Sequence, residues 1–465
     1  MKTKNRILMA DSYKYSHTTQ YPPKTTSMYS YLEARGSKQY NRVVFFGLQY
    51  LLKTYFSTPI TLDEVKEAKD YAEANGVPFD TEGWTYIATT LKGMLPVEIK
   101  AVQEGSVLPL SVPLLTVEST DPRVFWVASW LETFLMKVWY PCTVATRSYF
   151  IKQLLLEFAN KTQDIPNVDF QFHNFGYRGA TTEEAGVVGG MAHLTQFLGT
   201  DNIYNLKTMA EAYNAHPSTI GYSIPATEHS TVTSWGRDGE EAMIMNYLEQ
   251  NKGKHLIACV MDSYDYYSAI TMITSGKFKQ KIESSEYPTF VIRPDSGEQV
   301  EILHFTLSIL EKNKVAYTTN GKGFKVLNKY RIIFGDGINE AVINQLLNVL
   351  YTRGYSSENI AFGSGGWLMQ DLNRDTLGFA IKCSSITIDG KQKDVYKDPK
   401  TDSSKKSKRG RVTTWYETMY KKHIIVDVIG DTPSVGHTCY LDRVFLNGKI
   451  ICETTLSTIR ANSNE

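Results

Sequence analysis

The sequence predicts an α/β protein in which a parallel sheet or barrel carries the chemistry and a sheet-rich domain accompanies it. Two patterns lead there. From about residue 170 onward, short apolar runs alternate with amphipathic helices, the signature of repeated βα units. Before and after that stretch, strand-like pieces are broken by glycine and proline. Length agrees: 465 residues exceed one ordinary core and divide into two domains. The expected segments are 1–150, an N-terminal sheet-rich domain with helices; 151–380, the α/β barrel; and 381–465, a C-terminal segment packing back on the N-terminal domain.

In the first segment, Thr61-Leu62-Asp63-Glu64 has capping-box spacing, and the helix it opens should stop at Asn75-Gly76. Residues 96–118 fall into short β-type runs interrupted at Gly105, Pro109 and Pro113, so antiparallel strands are expected there. Residues 124–140 are the most hydrophobic stretch. Glu132 and Lys137 interrupt it, it is too short to span a membrane, and it reads as a helix buried on most sides. In the second segment, helices are expected over 300–312 and 338–353. Four apolar runs there end abruptly in polar or glycine-rich residues. Residues 256–261 lead into Asp262, 289–292 into Arg293-Pro294-Asp295, 331–334 into Gly335-Asp336-Gly337, and 360–362 into Gly363-Ser364-Gly365-Gly366. In a βα barrel the C-terminal strand ends share one face, so these groups should converge on one mouth. After about residue 380 the βα rhythm stops, and strand-like pieces return near 380–388, 423–428 and 444–452.

Charge excludes some functions. Lys plus Arg number 50 against 49 Asp plus Glu, which gives the chain no reason to seek nucleic acid or an anionic membrane. Any bound anion must be held by a local cluster. The basic stretch from Lys405 to Arg411 reads as a solvated loop. The five cysteines are scattered without CxxC spacing, which points away from metal sites and disulfides and towards a reducing cytoplasm. The basic start is followed by only four apolar residues before Asp11, too few for a secretory signal.

The chemistry-bearing groups cluster around phosphate. The glycine turns at 335–337 and 363–366 would let backbone N–H groups approach a phosphate, or serve only as tight connections. Neither GxGxxG nor GxxxxGK[ST] is present. Arg178, in Phe175-Gly-Tyr-Arg-Gly179, and Arg293 are flanked by glycine or proline, positions that suit a guanidinium gripping pyrophosphate or a surface ion pair. Asp262, Asp295 and Asp336 cannot share one mouth unless a divalent metal, a cationic substrate or the arginines offset them. His229 lies in a polar, turn-rich setting, structural by default, where Glu228 or Asp262 could orient a nucleophilic ring. Phe175, Tyr177 and Tyr13 are aromatics in polar surroundings.

These residues resemble the nicotinamide phosphoribosyltransferase family, type II phosphoribosyltransferases that salvage NAD. The matching segments run in order through nearly the whole chain: Asp11-Ser-Tyr-Lys14, Trp139-Tyr-Pro141, Phe175-Gly-Tyr-Arg-Gly179, Gly199-Thr-Asp201, Gly221-Tyr-Ser223, Glu228-His-Ser-Thr231, Asp262-Ser-Tyr-Asp265, Ile292-Arg-Pro-Asp-Ser-Gly297, Gly335-Asp-Gly337, Ala361-Phe-Gly-Ser-Gly-Gly366, Arg374-Asp375, Lys382-Cys-Ser384 and Lys397-Asp-Pro399. The resemblance implies an irregular α/β barrel, a sheet domain built from both chain ends, and a homodimer with shared active sites. It implies that Phe175, with Tyr13 from the partner subunit, sandwiches nicotinamide. Aromatic faces favour the positive charge that develops as the ring nitrogen bonds the ribose.

By the same resemblance Asp201 accepts from the carboxamide, and Arg293 contacts the ring substituent and the pyrophosphate region. Asp295 holds the ribose hydroxyls, and Arg178 the leaving pyrophosphate of phosphoribosyl pyrophosphate. Gly335, Asp336, Gly365 and Gly366 hold the 5′-phosphate. Arg35, Arg374 and Lys382 resemble phosphate contacts made across the dimer. Mg²⁺ bridges the pyrophosphate and the Asp-rich mouth. ATP phosphorylates His229, Glu228 and Asp262 orient it, and the basic loop at 397–411 helps engage ATP. Two positions depart from the family pattern: Asn174 replaces an acid, and Ala380 replaces a phosphate-contacting serine, a loss of about 1 kcal/mol of binding. Three alternatives stand beside this reading. A nicotinate phosphoribosyltransferase is disfavoured by an anionic Asp201 facing a carboxylate. A non-catalytic regulatory homologue is disfavoured by His229, Arg293, Asp295 and Gly335-Asp336 occurring together. A nucleic-acid module is disfavoured by the balanced charge.

Overall fold

The computed structural model describes residues 4–401, 406–417, 422–426 and 437–464. Lys405 and residues 427 and 428, parts of the basic stretch and of one expected strand, lie outside them. The chain forms two units: residues 1–146, 209–215 and 373–465 make one, and 147–208 with 216–372 the other. The sequence pattern placed the divisions at 150 and 380, and it contained no sign of the short return at 209–215.

The first unit is built on a seven-stranded antiparallel sheet that interleaves both chain ends. Thr25–Ala34 pairs with Phe379–Ile388 on one side and with Pro113–Ser119 on the other; Val97–Ala101 joins Pro113–Ser119 to Asp442–Leu446. The capping box at Thr61 forms, its helix spans Leu62–Ala74, and Asn75 closes it before Gly76 at φ +83°. The return segment is tied in by a buried carboxylate: Glu104 accepts from Gly47 N–H, Gln49 N–H and the Tyr213 hydroxyl at 2.9, 2.6 and 2.8 Å.

The hydrophobic stretch at 124–140 is not one helix. It forms short turns at Val127–Trp130 and Glu132–Met136 before the long helix Trp139–Thr162 begins. Pro141 is the physical reason for the break at 137–138. It has no N–H to give the carbonyl of Lys137, its ring would clash there, and Tyr140 N–H takes that carbonyl instead at 3.3 Å. The burial expectation holds, with Val127, Trp130, Leu131, Phe134, Leu135 and Val138 all inside.

The second unit holds six parallel strands, labelled here β1 (Phe172–Asn174), β2 (Gly199–Thr200), β3 (Leu256–Val260), β4 (Thr289–Arg293), β5 (Tyr330–Phe334) and β6 (Ile360–Ser364). Their order is β2-β1-β6-β5-β4-β3. The edge strands β2 and β3 are linked by an irregular segment, residues 221–227. Tyr222 N–H donates to Leu198 O at 2.7 Å, and Thr200 N–H to Tyr222 O at 3.0 Å. At the other end Ala258 N–H donates to Pro225 O at 2.9 Å, and Thr227 N–H to Ala258 O at 3.1 Å. The ring is therefore a barrel with one irregular stave. Helices Gln299–Lys312 and Glu340–Thr352 follow β4 and β5, near the expected limits.

Candidate active site

Because the six strands are parallel, their C-terminal ends form one rim. Phe175 follows β1, Asp201 follows β2, Asp262 lies just past β3, Arg293 ends β4, Gly335 follows β5 and Gly365 follows β6. Two cavities meet there. Inside the barrel, small residues such as Ala226, Ala258 and Ala361 leave an apolar bore of 450 Å³. Above it lies a polar cleft of 810 Å³, bordered by Arg178, Glu228, Asp295, Asp336, Gly365 and Trp367. Phe175, Asp201 and Arg293 border both.

Phe175 shows why glycine recurs at this rim. Its ring packs directly against the backbone of β6, where a Cβ on Gly363 would stand 1.9 Å from Cε2; one on Gly335 would stand 3.2 Å away. Gly363, read from sequence as part of a phosphate cradle, is therefore a seat for an aromatic ring. Phe175 N–H donates to Ser364 O at 3.0 Å, which fixes the turn. The Arg293 guanidinium stands 5.8 Å from the ring centroid, within range of a cation–π contact. Asn174, one of the two departures, is buried and structural. Its side-chain oxygen accepts from Gly176 N–H at 2.8 Å, and its amide reaches Thr200 Oγ1 at 3.4 Å. These are bonds that a neutral amide serves on both sides.

His229 opens the short helix His229–Thr233. Its Nε2 is 3.1 Å from Asp262 Oδ1, and its Nδ1 is 3.9 Å from Asp295 Oδ2. The Asp262 side chain is almost fully buried. Its other oxygen accepts from Asp295 N–H at 3.1 Å and from the Ser296 hydroxyl. An ionised carboxylate only accepts, so Nε2 is the nitrogen that carries a proton towards Asp262. Glu228, expected to help orient the ring, accepts from Ser230 instead. The anticipated repulsion among three aspartates is largely relieved within the protein. Asp262 is filled by donors, and Arg293 donates to Asp295 Oδ1 through Nε at 3.3 Å and Nη2 at 2.9 Å. Asp336 is exposed, and its side chain has no hydrogen-bond partner among the described residues.

The groups expected at phosphate fall in two places. In the barrel unit, Gly335, Asp336, Gly365 and Gly366 border the polar cleft with Arg178, which stands exposed on the turn Tyr177–Gly179. Tyr13, Arg35, Arg374 and Lys382 belong to the sheet unit. Tyr13 is 54 % exposed on the 3₁₀ helix Ser12–Thr19, with its ring edge-on to His17. Burial lowers the Lys382 pKa, Glu132 offsets part of that, and the nearby cations Arg35, Lys397 and Lys14 lower it further. That crowding of positive charge suits an anion. Ala380 is buried in the strand carrying Lys382. The basic stretch is less available than expected: Lys408 pairs with Glu33, and Arg411 grips Glu118 through two bonds of 2.6 Å.

For Mg²⁺, the described residues contain no group of three or more His, Cys, Asp or Glu suited to hold a metal. Asp295 and Asp336 border the cleft, and one or two carboxylates completed by substrate phosphates and water is a donor set Mg²⁺ accepts. Among the described residues no helix is long and apolar enough to cross a membrane.

Sequence reasoning missed three contributors. Ser223 donates to Asp201 Oδ1 at 2.6 Å. Thr227 Oγ1 accepts from Val260 N–H at 2.8 Å, standing in for a strand partner just before His229. Arg147, 2 % exposed, donates to the carbonyls of Trp367 and Asp371 behind the 363–366 turn, its guanidinium 4.3 Å from the Trp367 ring. Ser223 lies in the matching segment Gly221-Tyr-Ser223 but had no role assigned, and Thr227 and Arg147 have no local motif. Each acts on a residue far along the chain.

Residues 170–446 match the family described as Nicotinate phosphoribosyltransferase (NAPRTase), and residues 5–99 match Nicotinamide phosphoribosyltransferase, N-terminal domain. The chain is 43 % identical to a nicotinamide phosphoribosyltransferase of Xanthomonas campestris pv. campestris, covering 99 % of this chain and 98 % of that protein. It is 31 % identical to the one from Acinetobacter baylyi, covering 98 % and 96 %. The fold is similar to that of nicotinate-nucleotide pyrophosphorylase from Pyrococcus furiosus, with a TM-score of 0.64 at 14 % identity over 100 % of this chain and 96 % of that one. Matching nicotinamide phosphoribosyltransferases from end to end, with their fold and with Phe175, His229 and the glycine turns gathered at one rim, the chain belongs to the nicotinamide phosphoribosyltransferase family.

Proposed function

We propose that the protein transfers the phosphoribosyl group of phosphoribosyl pyrophosphate to nicotinamide, giving nicotinamide mononucleotide and pyrophosphate, as a cytoplasmic homodimer serving NAD salvage. The observation that carries this reading is the meeting of an apolar bore and a polar cleft at Phe175, Asp201 and Arg293. A flat aromatic base fits against Phe175, its carboxamide N–H₂ faces the Asp201 carboxylate, and a phosphorylated ribose lies in the cleft. The ring nitrogen attacks C1′ as the bond from C1′ to the pyrophosphate oxygen breaks. No base is needed, because that nitrogen is unprotonated at neutral pH. Phe175 faces the charge that develops on the ring, Asp295 is placed for the ribose hydroxyls, and Arg178 for the departing pyrophosphate. With Mg²⁺ bound, the charge of the leaving group is partly neutralised.

Phosphorylation of His229 by ATP belongs to the same proposal. Asp262 holds Nε2–H, so Nδ1 is the attacking nitrogen: the new bond is Nδ1–P, and ADP leaves with the bridging oxygen. Tyr13, Arg35, Arg374 and Lys382 are assigned to a second copy of the chain, a reading supported by the exposure of Tyr13 and the crowded cations around Lys382. The test is product formation from phosphoribosyl pyrophosphate and Mg²⁺ with either nicotinamide or nicotinate, with and without ATP. Mononucleotide from nicotinamide only, increased by ATP, is the expected result. Turnover of nicotinate instead moves the protein to the sister activity, and no product from either leaves a non-catalytic homologue.

A further inference from the structure

Asp201 is an exposed carboxylate where the two cavities meet, and an exposed side chain spreads over several rotamers unless a contact holds it. Among the described residues one side-chain hydrogen bond does so, from the Ser223 hydroxyl to Asp201 Oδ1 at 2.6 Å. The barrel's irregular stave presets this contact. Tyr222 is bridged to Leu198 and Thr200, so the next residue on each side, Ser223 and Asp201, leave the bridge as neighbours. Asp201 N–H also donates to Asn174 O at 3.0 Å, which fixes the backbone of the acceptor.

We infer that Ser223 is a positioning residue that makes Asp201 a selective acceptor for a ring carboxamide; this rests on the base-binding role proposed for Asp201 above. The hydroxyl holds one carboxylate oxygen and leaves the other for the ligand's N–H₂. It is also a neutral donor, so it stabilises the anion without cancelling its charge. The cations nearby do not cancel it either. The His173 imidazole faces Asp201 from the neighbouring strand, but burial lowers its pKa and keeps it neutral at pH 7. Arg293 is committed to Asp295. A lysine or arginine in place of Ser223 would hold Asp201 as firmly and abolish the repulsion that rejects a carboxylate. Serine keeps the acceptor ordered and the field negative.

The test is a double-mutant cycle on the full chain with Ser223→Ala, Asp201→Asn and both together. It reads kcat, the KM for each substrate, nicotinate turnover and Tm. Ser223→Ala should raise the KM for nicotinamide about tenfold, equivalent to about 1.4 kcal/mol, with kcat, the KM for phosphoribosyl pyrophosphate and Tm unchanged and nicotinate still refused. Ser223→Thr, which keeps the hydroxyl, should restore the wild-type KM. In the Asp201→Asn background Ser223→Ala should do nothing more, because its effect runs through Asp201. Additive losses in the double variant, or an unchanged KM in Ser223→Ala, overturn the inference while leaving the proposed reaction intact. A wild type that ignores nicotinamide, or an Asp201→Asn variant that discriminates as before, sinks the base-site reading itself.

Discussion

Replacing Gly363 by alanine tests whether the seat beneath Phe175 controls the reaction. The added Cβ would stand 1.9 Å from Cε2, 2.2 Å from Cδ2 and 2.6 Å from Cζ of the ring, whereas ordinary contact begins near 3.4 Å. Gly363 sits inside β6, hydrogen-bonded through its neighbours to β1 and β5, so the strand cannot easily retreat. The ring must move instead, by about 1.5 Å, away from β6 and into the space proposed for the base. Misplacement of about 1 Å at a reacting group can cost about a hundredfold in rate. We therefore expect kcat/KM for nicotinamide to fall by about that factor, with the KM for phosphoribosyl pyrophosphate little changed. Overpacking should also cost about 1–3 kcal/mol of stability, visible as a lower urea midpoint. Combining Gly363→Ala with Phe175→Leu should recover the midpoint but not nicotinamide affinity. Wild-type kcat/KM in Gly363→Ala would refute the reasoning, since no ring in the observed position tolerates that Cβ.

Three further outcomes follow from the same geometry. Asp262→Asn places an amide N–H₂ against either His229 Nε2–H or the donors of Asp295 and Ser296, so ATP-stimulated turnover should drop by about tenfold or more, about 1.4 kcal/mol. Acid-labile phosphate on His229, measured by mass spectrometry, should vanish with it, and phosphorylation at the wild-type rate would exclude the orienting role. His193 is buried, and desolvation lowers its pKa to about 3. A folded-state pKa below the ordinary 6.5 means its contribution is complete above pH 6.5 and is lost as pH falls towards 3. By pH 5 that is about 2 kcal/mol, with His173 acting in the same direction, so His193→Gln should flatten the pH dependence of the urea midpoint by about one proton. An unchanged slope would place the titrating group elsewhere. In the sheet unit, Glu104→Gln sets an amide against three donors and should cost about 2 kcal/mol, read from the urea midpoint at pH 7; a neutral effect would mean that the 209–215 return is held by packing alone.

What the sequence made legible was whatever repeats or punctuates locally. The runs ending at Asp262, Arg293, Gly335 and Gly363 became β3 to β6 because a short apolar run stopped by a polar or glycine turn already describes a strand buried on both faces. The capping box at Thr61 was readable for the same reason: its donors and acceptors lie within four residues. The break at 137–138 was missed because apolar composition outweighed one proline, although Pro141 carried the signal. Glu228 was misassigned because adjacency in sequence says nothing about direction: its carboxylate turns to Ser230 while His229 turns to Asp262, 33 residues away. Gly363 was given to phosphate because a glycine turn after a strand shows that something comes close without saying what.

The irregular stave explains why so much of the unpredicted chemistry sits in one place. A regular seventh strand over residues 221–227 would spend its N–H and C=O groups on both neighbours and point alternate side chains in and out by rule. Here Pro225 has no N–H to give, the segment meets β2 only around Tyr222 and β3 only around Ala226, and the residues between are released from the ladder. Ser223 is then free to turn its hydroxyl to Asp201. Thr227 supplies through its side chain the acceptor that Val260 N–H lacks on the backbone, and the chain emerges from that bond directly into His229. One short segment thus orders Asp201, the acceptor proposed for the base, at its start and leads into His229, the proposed nucleophile, at its end. Restoring ladder bonds along it would complete the barrel at the expense of both.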